Sequence, residues 1–472
     1  DALAGTTTID ASSVQTLTGS ASAVAASYAS TTISGLGNEA VTLSGTEAAA
    51  ADLNSIDFTS GTIEASTLTL LTGTAAAVTT ALQSSGITGL GNEAVTLSDT
   101  SLAATALNTL NGLTEGAINA ATVSTLTGTA AEVTTALQSS GITGLGNVAV
   151  TLTDTSLDVT ALNALDGLTT GMINASSVQT LTGTVSQVAT SYASAGISGL
   201  GNAAVTLLDS NLMNPASSLN AIDNATMGTI DASSVLSLVG TTADVLSSLA
   251  SGGITGLGIQ SVAVNQDTVA AADMNAIDAA ISGTIDQTAV GACVVETVTG
   301  TLADLVTMYN SAGIVGKGTE NVTLTETSAA ASMLNSVNSA TTGTINATTV
   351  LTLTGSAAEV ALSYTSGGIS NLGDEAVTLS AGSAAAADLN AINTATSGQI
   401  DATLVSTITG SVSAVAAVYA ASDTAITGLG NEAVTLDDTS LAATELNALD
   451  ALEGTATIDA SSVQTLTGTA AA

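Results

Sequence analysis

A glycine followed by Ser or Thr recurs at nearly constant intervals along the 472 residues of this chain. Successive spacings are 54, 55, 55, 57, 60, 55, 55 and 58 residues. A period of this size that runs through a whole chain is typical of stacked repeat architectures, in which each repeat packs against its neighbours. The recurring glycines are Gly19, Gly73, Gly128, Gly183, Gly240, Gly300, Gly355, Gly410 and Gly468.

Each repeat contains two segments of similar pattern, and each segment predicts a strand followed by a helix. In the stretch 118–152, strands are predicted near Ile118 and at Val150 to Leu152, with a helix after Gly128. Such alternation requires parallel strands and right-handed crossovers. We therefore predict an α/β repeat solenoid with flanking helices and about two strand–helix coils per repeat. The coils are close in size to leucine-rich repeats but lack their full leucine pattern.

The repeats are expected to form one continuous array with strands stacked in columns. Because the first and last segments are in the same phase, we expect a window of a longer array, with end-to-end association through matching coil faces. The expected boundaries are a partial repeat at 1–34, repeats at 35–88, 89–143, 144–198 and 199–255, a divergent repeat at 256–315, repeats at 316–370 and 371–427, and a partial repeat at 428–472.

Helix starts are marked by the Ser or Thr that follows each corner glycine. In five of the eight copies that continue, Glu, Gln or Asp stands three residues on, which favours a reciprocal capping box. The second helix is expected to be capped near Asp99-Thr100 or Asp154-Thr155. The predicted N-caps of the first helix are Ser20, Thr74, Thr129, Thr184, Thr241, Thr301, Ser356, Ser411 and Thr469.

An apolar residue four positions after each cap and a Leu or Tyr four positions later predict a buried helix seam. The alternative interpretation of the tyrosines is an aromatic carbohydrate-binding track. The alternation of Tyr with Leu82, Leu137 and Leu249 favours packing. All the tyrosines of the protein belong to this column: Tyr28, Tyr192, Tyr309, Tyr364 and Tyr419.

The firmest column is an asparagine in the second helix. Because it never changes to Asp or Ser, we expect a buried amide that uses its donors and acceptors to bond the backbone of adjacent coils as a ladder. A ligand-binding amide is the alternative. The ladder residues are Asn54, Asn108, Asn163, Asn220, Asn275, Asn335, Asn390 and Asn447.

Asp and Asn exchange freely at the end of the opening strand, as at Asp10 and Asn119. This exchange predicts bonds from the side chain to nearby backbone N–H groups.

After the first helix comes a Gly-Leu-Gly-Asn turn, as at 89–92, followed by Glu93 and Val95. The pattern Gly-x-Gly-x-Glu-x-Val is similar to the calcium-binding nonapeptide of bacterial RTX proteins. It lacks their first glycine, carries Glu for Asp, is not in tandem, and loses its acid at Val148, Ala203 and Gln260. No cofactor is expected, and a plain turn is favoured over calcium binding. The calcium candidates are Glu39, Glu93 and Glu432.

Composition excludes several classes of function. One Lys and no Arg or His stand against 39 acidic residues, giving a net charge of −38, so nucleic acid and anionic membranes would be repelled. Without His, and with Cys293 alone, thiol–imidazole pairs and Cys/His zinc sites cannot form. Cys293 is expected to be a small buried residue and Pro215 to lie at an irregular helix start. We predict no membrane span, because no apolar run is long enough, and no enzyme, because no chemical site recurs.

The motifs Ile-Asp-Ala-Ser-Ser-Val-Gln-Thr-Leu-Thr-Gly at 9–19 and Gly-Leu-Gly-Asn-Glu-Ala-Val-Thr-Leu at 35–43 resemble tandem Ala/Thr/Gly-rich repeats of giant cell-surface proteins of marine cyanobacteria and other bacteria. The resemblance implies an extracellular structural protein of a surface layer, fibre or filament. Its partners would be like subunits or further repeats, and surface polysaccharide. The alternative is an adhesin or carbohydrate-binding module. A Thr-x-Thr ice-binding face is a third hypothesis, based on Thr-Leu-Thr segments such as 125–127.

Overall fold

A computed structural model of the chain describes residues 8–209, 213–288, 294–422, 424–452 and 457–469. These residues contain 16 helices and 42 strands, in which short parallel strands alternate with helices in repeated units. The predicted α/β repeat architecture is therefore confirmed.

Helices and strands are numbered separately in chain order. The helices are α1 Ala21–Ala29, α2 Ala50–Ile56, α3 Ala75–Gln83, α4 Ala104–Asn111, α5 Ala130–Gln138, α6 Val159–Asp166, α7 Val185–Ala193, α8 Ala216–Ala225, α9 Thr242–Ala250, α10 Ala271–Ala280, α11 Leu302–Asn310, α12 Ala331–Ala340, α13 Ala357–Thr365, α14 Ala386–Ala395, α15 Val412–Ala420 and α16 Ala443–Asp450. The strands are β1 Ile9–Asp10, β2 Thr16–Gly19, β3 Ile33–Ser34, β4 Ala40–Leu43, β5 Glu47–Ala49, β6 Ile63–Glu64, β7 Leu70–Gly73, β8 Ile87–Thr88, β9 Ala94–Leu97, β10 Ser101–Ala103, β11 Ile118–Asn119, β12 Thr125–Gly128, β13 Ile142–Thr143, β14 Ala149–Leu152, β15 Ser156–Asp158, β16 Ile173–Asn174, β17 Thr180–Gly183, β18 Ile197–Ser198, β19 Ala204–Leu207, β20 Asn214–Pro215, β21 Ile230–Asp231, β22 Ser237–Gly240, β23 Ile254–Thr255, β24 Ser261–Val264, β25 Thr268–Ala270, β26 Ile285–Asp286, β27 Thr297–Gly300, β28 Ile314–Val315, β29 Asn321–Leu324, β30 Ser328–Ala330, β31 Ile345–Asn346, β32 Thr352–Gly355, β33 Ile369–Ser370, β34 Ala376–Leu379, β35 Gly382–Ala385, β36 Ile400–Asp401, β37 Val405–Gly410, β38 Ile426–Thr427, β39 Ala433–Leu436, β40 Ser440–Ala442, β41 Thr457–Asp459 and β42 Thr465–Thr467.

A repeat, counted from its opening strand, consists of two coils. The first coil has two strands and a helix, and the second coil has three strands and a helix, as in β6, β7, α3 and then β8, β9, β10, α4. The sequence patterns predicted the first and fourth strands of the repeat and a corner where the second strand lies, just before the first helix. They missed the third strand, which follows the first helix, and the fifth strand, which directly precedes the second helix.

The chain forms two compact units. Of the described residues, those within Asp1–Ser210, Ser218–Ser234 and Gly252–Gly256 form one unit, and those within Asn211–Ser217, Val235–Ser251 and Leu257–Ala472 form the other. The first unit has sheets of strand order β1-β3, β2-β4-β6-β8, β13-β11-β9-β7-β5, β10-β12-β14-β16-β18 and β15-β17-β19-β21-β23. The second has β20-β22-β24-β26-β28, β25-β27-β29-β31-β33, β30-β32-β34-β36-β38, β35-β37-β39-β41 and β40-β42.

Within each unit, the strand columns end after at most five strands among the described residues, so the expected columns running through the whole array are wrong. A full sheet takes the fifth strand of one repeat, the second and fourth strands of the next, and the first and third strands of the one after, as in β10-β12-β14-β16-β18. The position of each strand can be counted back from the helix that follows it. In one sheet, β10, β14 and β18 come from successive repeats and are the first, second and third strands before their helices. The sheet ends there because the next coil is a first coil, which has only two strands before its helix and so offers no strand at the third position.

The core lies on the inner face of these sheets. Leu126 pairs with Val150 and Val150 with Ile173, and all three side chains are fully or almost fully buried. Burial of each such side chain contributes about 1.5–3 kcal/mol. The outer face carries Thr127, Thr151 and Asn174 in register, as the two-residue period of a strand requires.

All eight described first helices begin at the predicted N-cap, whose hydroxyl accepts the N–H of the third helical residue. Complete capping boxes form at Thr129, Thr184 and Ser356. Where the third residue is Asp, as at Asp244 and Asp304, the shorter carboxylate accepts a bond from the capping threonine hydroxyl. The N-cap prediction is confirmed for these eight helices.

The buried face of the first helix differs in part from the predicted seam. The apolar residue four positions after the cap is buried in every copy, as Val78 and Val133 show. Its deeply buried partner is three residues later, at Ala81 or Ala136, whereas the Leu/Tyr column is mostly half-buried. The longer side chains of that column lie at the edge of the core, beside the glycine turn.

The predicted caps of the second helix are wrong, because a strand stands between them and the helix. Asp99 and Asp154 precede β10 and β15, and α4 begins only at Ala104. The Asp154 carboxylate instead accepts the N–H of Ala130, the first residue of α5, at 2.8 Å. The second helix of this repeat, α6, is capped by Asp158.

Pro215 and Cys293 each occur once in the sequence. Pro215 ends the short strand β20, immediately before α8. Cys293 lies outside the described residues. No helix among the described residues is long and apolar enough to cross a bilayer.

Candidate functional site

The glycine turn after the first helix is the most constrained loop of the repeat. At the first turn, Gly35 has φ +90° and Gly37 has φ +141°, a region that side chains rarely adopt. A Cβ on Gly35 would also lie 2.7 Å from the backbone nitrogen of Ser12. Both the backbone conformation and the close approach of the preceding coil therefore require glycine at Gly35.

The glutamate that follows this turn is buried and holds the turn closed. Glu39 is 1% exposed, and its carboxylate accepts the N–H groups of Gly37, at 2.9 and 3.1 Å, and Asn38, at 3.2 Å. In the same way Glu93 accepts the N–H of Gly91 at 2.7 Å. The other buried acids that bond this turn are Glu320, Glu375 and Glu432.

The side chain at this position decides which of two turns forms. Wherever it is Glu or Gln, the second glycine has positive φ, as at Gly91 with φ +129°. Where it is Val148 or Ala203, the second glycine does not have positive φ, and the backbone N–H of residue 148 or 203 bonds the carbonyl of Leu145 or Leu200 instead. A side-chain acceptor thus replaces a backbone acceptor and changes the conformation of the loop.

This geometry does not fit a calcium ion at the candidate residues Glu39, Glu93 and Glu432. Calcium takes six to eight oxygen ligands, whereas these carboxylates face backbone N–H donors. Among the residues that the structure describes, no group of three or more acidic, His or Cys side chains could hold a metal ion. Calcium binding at this turn stays an untested alternative, and the geometry gives it no support.

Three of the five tyrosine hydroxyls, those of Tyr192, Tyr364 and Tyr419, donate to this turn or to the glutamate that closes it. Tyr419 donates to Glu432 at 3.1 Å, and Tyr364 donates to Glu375. Burial, together with the neighbouring glutamate, raises the pKa of both phenols far above its usual range. Tyr192, whose repeat has Ala at the glutamate position, donates to the Leu200 carbonyl. Their rings are half-buried or buried, which gives the alternative of an exposed aromatic carbohydrate track no support.

A buried threonine column also fixes this turn, and the sequence reasoning missed it. Thr59 donates to the Glu39 carbonyl at 3.2 Å and accepts the N–H of Gly61 at 3.2 Å. A Cβ on Gly61 would lie 2.1 Å from the same carbonyl oxygen. The signal that could have revealed the column is the spacing Thr-x-Gly two residues before the opening strand. Equivalent threonines are Thr114, Thr169, Thr226, Thr341 and Thr396.

The asparagine column links the second helix of one repeat to the first helix of the next. Asn108 Nδ2 donates to the carbonyl of Glu132 at 2.9 Å, and Asn163 Nδ2 donates to that of Gln187 at 3.0 Å. These side chains are half-buried, not buried as expected. Asn54, Asn275, Asn335 and Asn390 make the equivalent bond, at 2.8 to 2.9 Å. Asn220 lies on α8 and Asn447 on α16.

The amide oxygen of this column is used only in some repeats. Ser191 donates to Asn163 Oδ1 at 2.7 Å, and Ser363 donates to Asn335 Oδ1 at 2.9 Å. In the repeat of Asn54 the corresponding residue is alanine, and Asn54 Oδ1 is buried without a hydrogen-bond partner. The donor function is therefore common to these repeats, and the acceptor function is not.

An acid or amide from the following coil binds the start of six first helices. It accepts the N–H of the first helical residue, 24 or 26 residues earlier in the chain. A negative charge is favourable at this end of a helix. In α1 and α13 the corresponding residues are Gly45 and Ala381. The residues that make this bond are Asp99, Asp154, Asp209, Gln266, Glu326 and Asp438.

Acids at the end of the opening strand bond locally, as predicted. Asp10 Oδ1 accepts the N–H of Ser12 at 3.0 Å, and Asp231 Oδ1 accepts that of Ser233 at 3.0 Å. The serine side chain and backbone N–H lower the pKa of both aspartates. Asn119 makes the same bond to Ala121, so the column needs an acceptor and not a charge.

Comparison with known proteins gave no matching family model, and no similar curated protein was found.

Proposed function

We propose that this chain is a structural repeat protein of a bacterial cell surface, part of a layer, fibre or filament, without catalysis. The observation that carries the proposal is the use of the recurring polar side chains. Asparagine amides, buried threonines, buried glutamates and cross-coil acids each bond backbone within or between adjacent coils. A side chain already committed to the backbone in each copy is poorly placed to bind a substrate.

These bonds also suit a chain that must hold its shape. Each typical hydrogen bond contributes about 0.5–1.5 kcal/mol net, and most bonds of the set recur in most copies alongside an apolar core. Stability in such arrays is approximately a sum over repeats and their interfaces. A long array of this type is stabilised locally at every coil, which a fibre or surface layer requires.

The charge supports an extracellular setting. The net charge is −38 and the one cation is Lys317, whose ammonium donates to the carbonyls of Ser311 and Ile314. Such a surface stays soluble and repels other polyanions. Like subunits or further repeats of the same chain are the partners that we propose, with association strengthened as salt screens the repulsion.

Electron microscopy and surface labelling test this proposal. Gold-labelled antibody against the chain should decorate intact cells, and purified native material should form filaments or a lattice in seawater-like salt. Labelling only after cell lysis would overturn the surface role. Monodisperse particles that bind surface polysaccharide, with no filament or lattice, would favour the adhesin alternative.

A further inference from the structure

One glycine turn of the second compact unit opens into a polar pocket of about 360 Å³. It is lined by Thr348, Asn371, Leu372, Gly373 and Asp374. Small-molecule sites are usually about 300–1,000 Å³, so this volume is at the lower end of the range. It suits a ligand of about one ring.

Asn371 distinguishes this turn from the other glycine turns. It has φ 64°, the only non-glycine residue with positive φ among those that the structure describes, and glycine stands there in the other turns. In the sister turn, a Cβ on Gly199 would lie 2.6 Å from the backbone nitrogen of Ser176. Asn371 carries a Cβ, so it cannot approach Thr348, the counterpart of Ser176, as closely as Gly199 approaches Ser176. Both Asn371 and Thr348 line the pocket.

The side chain of Asn371 is held in position. Asn371 Nδ2 donates to Asn346 Oδ1 at 2.8 Å, and this oxygen also accepts the backbone N–H of Thr348 at 3.1 Å and its hydroxyl at 2.6 Å. A non-glycine residue kept in a strained conformation and fixed by neighbours is typical of ligand sites. The amide oxygen of Asn371 has no protein donor among the described residues.

The second departure from the sister turns lines the same pocket. Asp374 is exposed and replaces the asparagine of five other turns, namely Asn38, Asn92, Asn147, Asn202 and Asn431. Its carboxylate makes no hydrogen bond or ion pair to another described residue. The pocket therefore presents a carboxylate, an amide oxygen and a threonine hydroxyl oxygen, all acceptors, within one small space.

We propose that this pocket binds the hydroxyl groups of a saccharide. Adjacent sugar hydroxyls supply the several O–H donors that these acceptors need, and bonds to a carboxylate are the stronger ones. A divalent cation is less well matched, since Asp374 is the one acid in the lining and calcium requires six to eight oxygen ligands. The lining has no aromatic ring, so the affinity should be weak. This inference does not depend on the structural role proposed above.

Saturation-transfer NMR on the full chain tests the proposal, with methyl glycosides of glucose, galactose and mannose as probes. The matched variant is Asn371→Gly with Asp374→Asn, which restores the residues of the sister turns. Glycine adopts positive φ without strain, so the fold should be retained. Loss of the Asn371 acceptor and of the negative charge at position 374 should weaken binding of the responding glycoside by roughly tenfold or more. Asn431→Asp, which adds the same charge to a turn that has Gly428 at the position of Asn371, should leave binding unchanged.

Three results would overturn the proposal. They are the absence of transfer to any of the three glycosides, equal transfer with the wild type and the Asn371→Gly, Asp374→Asn variant, and binding of Ca²⁺ alone at this turn. Thermal melting of the double variant at or above the wild-type temperature would show that a loss of signal is not a loss of fold.

Discussion

Two alanine substitutions at equivalent glycines should have opposite effects on stability. Gly91 and Gly146 are both the second glycine of their turn, and in neither would a Cβ meet another atom within 4 Å. They differ in backbone conformation, because Gly91 has φ +129° whereas Gly146 does not have positive φ. Steric contact is thus removed from the comparison, and the backbone conformation alone decides the result.

The magnitudes follow from this difference. Alanine forced into the conformation of Gly91 costs about 1–3 kcal/mol. Alanine at Gly146 restricts the unfolded chain without strain, which stabilises by about 0.4–1 kcal/mol. The two variants should therefore differ by roughly 1.5–4 kcal/mol. Both glycines belong to the same compact unit, so one unfolding transition reports both.

The assay is urea unfolding of the full chain combined with hydrogen exchange of peptides that cover each turn. Gly91→Ala should lower the urea midpoint and speed exchange around residues 88–97, and Gly146→Ala should leave or raise both measures of stability. Adding Glu93→Val, the residue found at Val148, should convert the turn to the other form and remove most of the penalty of Gly91→Ala. Equal effects of the two alanine substitutions, or an unchanged penalty in the Glu93→Val background, would refute the role given to the glutamate.

Three further predictions concern the bonds between coils and the buried phenols. Asn163→Ala should lower the free energy of unfolding by about 1–3 kcal/mol, because it removes two hydrogen bonds at a half-buried site. Asn147→Ala, at an exposed site, should change it little, and equal urea midpoints of the two variants would count against the asparagine ladder. Asp154→Ala should destabilise α5 by about 0.5–2 kcal/mol, and Ala381→Asp should stabilise α13 by supplying the missing acid. Hydrogen exchange at the two helix starts measures both effects, and no change in either would exclude the cross-coil cap. The pKa of Tyr419 is raised in the folded chain, so its stabilising contribution is complete below the unfolded pKa of about 10 and is lost as pH rises through the folded pKa. The tyrosinate absorbance of the wild type and of Tyr419→Phe should therefore match near pH 10, and a normal titration of Tyr419 would contradict its burial against glutamate.

The sequence by itself determined the features that depend on residues a few positions apart. The helix starts at the serine or threonine after each corner glycine, and the acid of the opening strand bonds a backbone N–H two residues on, as at Asp10. The strand at Val150 alternates half-buried and buried residues over four positions. Caps, local turns and this alternation need no partner elsewhere in the chain, so one copy of the pattern was enough to predict them.

Tertiary structure decided what depends on the neighbouring coil. The third and fifth strands have only two to four residues and exist because a strand 23 to 29 residues away pairs with them, as β13 pairs with β11. Asp154 was expected to cap the helix that follows it, yet its partner is the helix start 24 residues earlier. Glu93, a calcium candidate from the sequence, is buried, and Thr114, 21 residues later, donates to its backbone carbonyl. The first coil of a repeat has two strands and the second coil has three, and this difference is set by pairing between coils. The difference in turn determines which coil covers a given side chain.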